Sequence, residues 1–594
     1  MMRDLSCQLD PVESARLRPP AEVMRLSRMG SFFPTRLSFM RVLLRSLSAG
    51  EAKISRAVWE MDKNGWGRAV YRLDYNGAVY SLVAFSNQLA DSARTDRVIA
   101  TAWDAAFVLY DGVPDRAELD RLQAAAPHQE KSRYGPRDLV LSRANKSVRL
   151  FEELVSALAE GRQPEAGLIA RTGYLMRTTA VYGNGKFGIC DREQFAGDSS
   201  AGDHSAGDQT AGDQTAGDPS AGRDGFARPF AAEMLAVYLI RHFTHDLVDH
   251  IAAARGGKKA IRLDRELRRH LGIGNSTGLG MAPFLVTHPV LLNNWMLARE
   301  TAWARVRGLA EASPEQQQRL QELASRAGGH LAEWQVPDEA AQTRIESLRA
   351  EWAALRASMS ADLLSGPYPF AALAGLAADT SQECQELMLA LCLEVNGEAI
   401  DGLADCMDSH LEARLNPAAR AADLLAETRQ QFGWALAVDF SQPDAIQHFW
   451  YVSAAKLEPR LGNRHLEAGS ELESPLDIAR RVQAMEAALA GWLETAPPDK
   501  LVAEFLLAFP QHRLAVQRVQ TNGWAPYSEI QDNLLDASCL PVDMLRCKLS
   551  FFGASKFDPK SDRWTRITMY QGAPLADELA DARLADDWWL PVLG

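Results

Sequence analysis

Residues 68–86 read RAVYRLDYNGAVYSLVAFS, and the reading of this stretch decides the fold. β-Branched and aromatic residues alternate with small or polar ones on both sides of Asn76-Gly77. A period of two sorts side chains onto the two faces of a strand, and an Asn-Gly pair supplies the positive φ angles of a type I′ turn. The stretch predicts a β-hairpin.

Outward from the hairpin the spacing becomes helical. Asp96 to Val108 carries apolar residues three and four apart. Residues 139–182 divide at Gly161 into two further helical runs, LVLSRANKSVRLFEELVSALAEG and PEAGLIARTGYLMRTTAVY. Residues 310–360, 370–430 and 475–520 are rich in Gln, Glu, Ala and Leu with amphipathic periodicity, the first of them like an antiparallel helical pair. The expected fold class is mostly α: a multi-helical globular protein with a small antiparallel β element near 66–86 and a further strand-compatible stretch near 548–570. No alternation of strand and helix of the βαβ kind is read.

The chain divides into an N-terminal arm (1–50), an α+β region with the hairpin (51–195), an insertion (196–225), a helical region with a Gly-rich loop (226–365) and a helical C-terminal region (366–594). The insertion repeats AGDSS, AGDHS, AGDQT, AGDQT and AGDPS at a period of five. Only Ala could fill a core in such units, so a solvated acidic insertion is expected rather than a stacked repeat.

The chain has 594 residues, 47% of them hydrophobic, which suffices for a large core. Against 77 Asp and Glu stand 64 Lys and Arg, a net charge of −13 that repels polyanions and argues against nucleic acid as a partner. Seven Cys, an odd and sparse set, suit reduced thiols. No apolar run is long enough to cross a membrane, and the first 47 residues have arginines where a signal peptide needs an apolar stretch. A cytoplasmic location is expected, with no membrane partner; the oligomeric state is left open.

Three motif matches fail in their context. Gly274-Asn275-Ser276-Thr277-Gly278 fits G-x-S-x-G, but a nucleophile elbow follows a strand, and DRELRRHLGI reads as helix. Gly183 to Gly188, GNGKFG, fits G-x-G-x-x-G without a helix opening after it, and no kinase-type H-R-D or D-F-G follows downstream. His242, Asp246 and His250 share one helix face, yet no Glu-x-x-His partner accompanies them, so a polar face is read and no metal site is expected.

Two segments remain as site candidates: Arg171 to Arg192, which concentrates Arg171, Arg177 and Lys186, and Leu271 to Pro289, which carries Asn275, Ser276, Thr277, Gly278 and Gly280 ahead of an apolar run. Guanidinium and ammonium groups, with backbone N–H groups left open by glycine at a helix start, suit an oxyanion. His245, His250 and His288 are the candidate acid–base groups, because imidazole titrates near neutral pH. No cofactor is assigned. The expected function is an enzyme that binds a carboxylated or phosphorylated small metabolite; the alternative is a non-enzymatic helical scaffold or regulator that binds protein partners.

Removing residues 196–223 is expected to leave the melting temperature within about two degrees, because loop length enters closure entropy only logarithmically. Differential scanning calorimetry of the deletion checks this, and a large loss would mean that the repeat packs.

Overall fold

The hairpin is the start of a nine-stranded sheet that organises the chain. The computed structural model describes residues 36–89, 103–125, 137–183, 231–276, 289–333, 339–400, 403, 415–442, 475–497, 499–524, 556–559, 565–586 and 588. The insertion at 196–225 lies outside them.

Strands β1 (Lys53–Met61), β2 (Gly67–Tyr75), β3 (Ala78–Ser86), β4 (Ala105–Asp111), β5 (Asp138–Lys146) and β6 (Tyr174–Gly183) form an antiparallel meander. β7 (Gly272–Ser276) then joins β6 in parallel. β9 (Thr565–Met569) pairs with β7, and β8 (Lys556–Pro559) forms the far edge. At the hairpin, Tyr75 pairs with Ala78, and Asn76 and Gly77 have φ of 49° and 76°, as a type I′ turn requires.

The sheet corrects the expected fold class: it is large and mixed, not a small antiparallel element. The stretches 105–111, 138–146 and 174–183 are strands where the spacing predicts helix. Their burial explains the difference. β4 is buried at every residue but Asp111, and β5 up to Arg143 and Ala144, so neither shows the polar alternation that marks a half-exposed strand. The expectation of no βαβ unit is corrected too, since a helix crossover joins β6 to the parallel β7.

Helices cover one face of the sheet: α1 (Phe39–Ala49), α3 (Val148–Ala159) and the long α5 (Ala231–Gly256) pack there, whereas α2 (Arg116–Ala125) covers the other. α1 buries Phe39, Met40, Val42, Leu43, Leu44 and Leu47, each large side chain worth about 1.5–3 kcal/mol. α5 lies tight on α3, where a Cβ at Gly256 would strike the Ala159 carbonyl. The short α4 (Ala166–Thr172) ends at Gly173, whose φ of 75° turns the chain into β6. α6 (Arg265–His270) leads into β7.

Beyond the sheet, α7 (Pro289–Arg307), α8 (Pro314–Glu333), α9 (Glu339–Ser358), α10 (Pro369–Ala377) and α11 (Gln382–Val395) form a bundle continuous with the sheet's core. The Trp352 indole is 1% exposed and donates to the Ala324 carbonyl at 3.1 Å, which pins α9 on α8. A second core, with Leu424, Phe432, Met485, Phe505 and Val516, holds α12 (Ala421–Leu436), α13 (Pro475–Thr495), α14 (Val502–Ala508) and α15 (Arg513–Trp524) together. Among the described residues, no helix is long and apolar enough to cross a membrane.

Gly77→Val is expected to destabilise the protein by about 1–3 kcal/mol, although a Cβ there would meet no neighbour, because its φ is hostile to a β-branched residue. Asn76→Gly is expected to be nearly neutral. Urea denaturation of both variants checks the contrast.

Candidate functional site

The crossover brings the two candidate segments side by side. Arg177 of β6 pairs with Gly274 of β7, and Thr178 with Asn275. On the other flank Asn145 of β5 stands opposite Arg177. Partners in a ladder share a face, so Asn145, Arg177 and Gly274 line one side of the sheet and Thr178 and Asn275 the other. The Asn275 amide donates to Thr178 Oγ1 at 3.2 Å, and that hydroxyl bonds to the Gly274 carbonyl at 3.3 Å. Gly274 is required sterically: a Cβ would come within 2.8 Å of the Tyr174 ring.

Two positions before Asn145, on the same face, Arg143 is buried and lies over the Trp103 ring at 3.9 Å. Asn145 Oδ1 accepts from the Asp104 amide at 2.9 Å, and the buried Asp104 carboxylate accepts from the Lys146 amide at 2.9 Å. These bonds fix the end of β5 next to Arg177. Sequence reasoning misses Arg143, Trp103 and Asn145, which sit in or beside stretches with apparent helical spacing. The signal that could have found them is the period of two at which Arg143 and Asn145 interrupt the apolar run LVLSRANK.

A second polar group lines α5. Tyr71 donates to Asp246 at 2.7 Å, Arg56 reaches the same carboxylate at 3.4 Å, and Arg268 pairs with Asp249. The Trp59 indole donates to His250 Nδ1 at 3.2 Å, which leaves Nε2–H to donate to the Asp62 carbonyl at 2.7 Å. Both nitrogens of His250 are thus engaged, and Asp246 is bonded to a phenol and a guanidinium. No group of three or more His, Cys, Asp or Glu among the described residues is placed to hold a metal ion.

His245 is 2% exposed, on the face of α5 near Arg241 and Arg268. Burial, with the nearby Arg241 and Arg268, holds its pKa well below the usual histidine range. It is a neutral imidazole at physiological pH. Along α6 an open groove is lined by Arg265, Arg269, Asp577, Glu578 and Arg583. Burial alone would raise the Glu578 carboxyl, but bonds from Arg269, the Leu575 amide and Arg265 outweigh it and hold the pKa at about 2.

Of the residues singled out in the sequence, Arg177, Asn275 and Ser276 fall on the adjacent strands β6 and β7, and Arg171 is on α4, the helix before β6. Asn275 and Ser276 are strand residues, not part of a glycine loop. His245 and His250 lie on α5. Lys186, Thr277, Gly278, Gly280 and His288 lie outside the described residues. Comparison of the chain with family models, with curated proteins and with solved structures finds no match.

Gly274→Ala is expected to cost about 1–3 kcal/mol, as overpacking does when a rigid ring blocks the new methyl group. Combining it with Tyr174→Ala should recover part of that loss, and a double-mutant cycle by urea denaturation measures the coupling.

Proposed function

We propose that this chain is an enzyme that binds a small carboxylated or phosphorylated molecule against the β5–β6–β7 part of the sheet. The observation that carries the reading is the register between β6 and β7. Two segments of anion-binding composition, almost a hundred residues apart in sequence, are parallel neighbours that pair Arg177 with Gly274 and Thr178 with Asn275. Open sheets with a parallel pair tend to bind ligands beside the strands where the crossover leaves, because loops and helix starts converge there.

The chemistry fits an oxyanion. A guanidinium offers parallel N–H donors to two oxygens of a carboxylate or phosphate, and amide side chains add neutral donors. Arg143, stacked on Trp103, brings a second cation to the face of Arg177. In this reading Lys186, which follows β6, and Ser276, Thr277, Gly278 and Gly280, which end and follow β7, complete the cradle. Both ring nitrogens of His250 are bonded within the scaffold and His245 is buried, so neither takes the acid–base role.

The test is a thermal-shift screen of the full chain against carboxylated and phosphorylated metabolites, followed by calorimetric titration of the hits. A hit at about a hundred times its Kd should stabilise the protein by about 2.7 kcal/mol. Arg177→Met is expected to weaken binding about 10- to 100-fold, since a hydrogen bond to a charged group is worth about 1.5–3 kcal/mol, with circular dichroism used to establish that the variant is folded. Equal binding by that variant would overturn the site. If no anion binds at all, the helical-scaffold alternative gains.

A further inference from the structure

The joint between α5, α6, the start of β7 and residues 569–578 is closed by an unusual number of polar bonds. Arg241 donates to the carbonyls of Leu271 at 2.8 Å, Ala573 at 2.9 Å and Arg269 at 3.1 Å. Tyr238 donates to the Pro574 carbonyl at 2.8 Å, Tyr570 to the Met234 carbonyl at 2.8 Å, and the Gly572 amide to the Arg269 carbonyl at 2.7 Å. Three imidazoles sit in this joint: His242 and His245 on α5, and buried His270 at the end of α6, whose Nδ1 bonds to the Glu266 carbonyl at 3.0 Å. His242, which is half-buried, meets the Tyr238 ring edge-on with centroids 4.7 Å apart, and His245 is 2% exposed. Among the described residues, the solvent-sealed His242 Nε2 and His245 Nδ1 have no hydrogen-bond partner.

We propose that this joint is an acid-sensitive latch: His242 and His245 are uncharged while it is closed and each takes up a proton when it opens, so falling pH favours opening.

The surroundings explain why neither ring charges in place. The groups that act on them most strongly are cationic, Arg241 on the same helix and Arg268 on α6; Glu578 opposes them weakly at His242. The carboxylates nearby are committed elsewhere, Glu578 to Arg265 and Arg269, Asp249 to Arg268, and Asp246 to Tyr71 and Arg56. Burial first, then these cations, push His242 down to about 3 and His245 well below the ordinary range. Once the joint opens, both rings, His245 buried and His242 half-buried beforehand, are fully hydrated and their pKa returns to about 6.5. A group whose pKa is lower in the closed state than in the open one favours closure fully above about pH 6.5. That preference is lost progressively as pH falls from there toward 3. Below pH 6.5 each histidine multiplies the opening equilibrium by about ten per pH unit, and the two together by about a hundred.

Hydrogen exchange of the full chain, read as protection factors corrected for intrinsic rates, tests the latch. Between pH 7.5 and 5.5, protection in 265–276 and 569–578 should fall about 100-fold, while β2, β3 and β4 keep theirs. His242→Phe keeps the ring shape, and His245→Gln keeps a polar side chain of similar length without a titrating ring. Each single variant should reduce the fall to about tenfold, and the double variant should abolish it. Near-ultraviolet circular dichroism at pH 7.5 establishes that each variant is folded, and the single variants decide the matter if the double one is not. An unchanged wild-type profile, an equal fall across β2 to β4, or a 100-fold fall that survives in the single variants would overturn the proposal.

Discussion

One guanidinium near the middle of α5 holds three separate parts of the chain in register. Arg241 is 0% exposed, and its hydrogen bonds run to backbone carbonyls of Arg268, Arg269, Leu271, Ala573 and Pro574. A buried cation is costly unless every donor finds an acceptor, and here the planar fork finds one on each side. Burial pushes its pKa down to about 10, which still leaves it charged at neutral pH. In return it satisfies the carbonyls that the last turn of α6 cannot satisfy internally. The start of β7, and with it the parallel pairing to β6, rests on this residue, as does the approach of residues 573–574. A lysine, with three donors on one nitrogen, could not reach acceptors so widely spread.

The bundle is joined to the sheet by a different device. Arg41 on α1 forms a two-pronged pair with Glu394 on α11, both bonds 2.5 Å, and the side chains are 0% and 3% exposed. Arg299 on α7 pairs with Glu386 on the same α11. Apolar burial alone is non-directional and would tolerate several docking angles between α1 and the bundle. A bidentate pair in the interior tolerates one, because displacement of either partner leaves a buried charge unpaired, a cost of about 3–5 kcal/mol.

The parts of the fold legible in the sequence are those with one face toward water. Asn76-Gly77 announces its hairpin because the turn demands a backbone that few residue pairs adopt, and α8 and α9 keep the amphipathic period because their outer faces are solvated. β4, β5 and β6 are illegible for the opposite reason. They are central strands; β4 and β5 are buried along nearly all of their length, and a continuous apolar run such as that in β5 has no period that separates strand from helix. The strand β5 also runs into α3 through Ser147 alone, so the two merge into one apparent helix. For the candidate site, composition points to Arg177 and Asn275, but their adjacency depends on a crossover of almost ninety residues that no local pattern encodes. The role of Arg241 is hidden altogether, since a lone arginine among apolar neighbours looks the same whether it snorkels to water or caps a distant carbonyl.

The order in which the sheet is assembled along the chain bears on how the protein is made. β7 pairs on one side with β6 and on the other with β9, and Ser276 precedes Thr565 by roughly 290 residues, about 15 to 60 seconds of translation at ordinary elongation rates. During that interval the nascent chain carries a sheet whose β7 edge has no neighbour, and Ile567, Met569 and Tyr570 are not yet there to fill the core beneath it. An open edge of this kind recruits other strands, so ribosome-bound chains are exposed to mispairing until the last strands emerge.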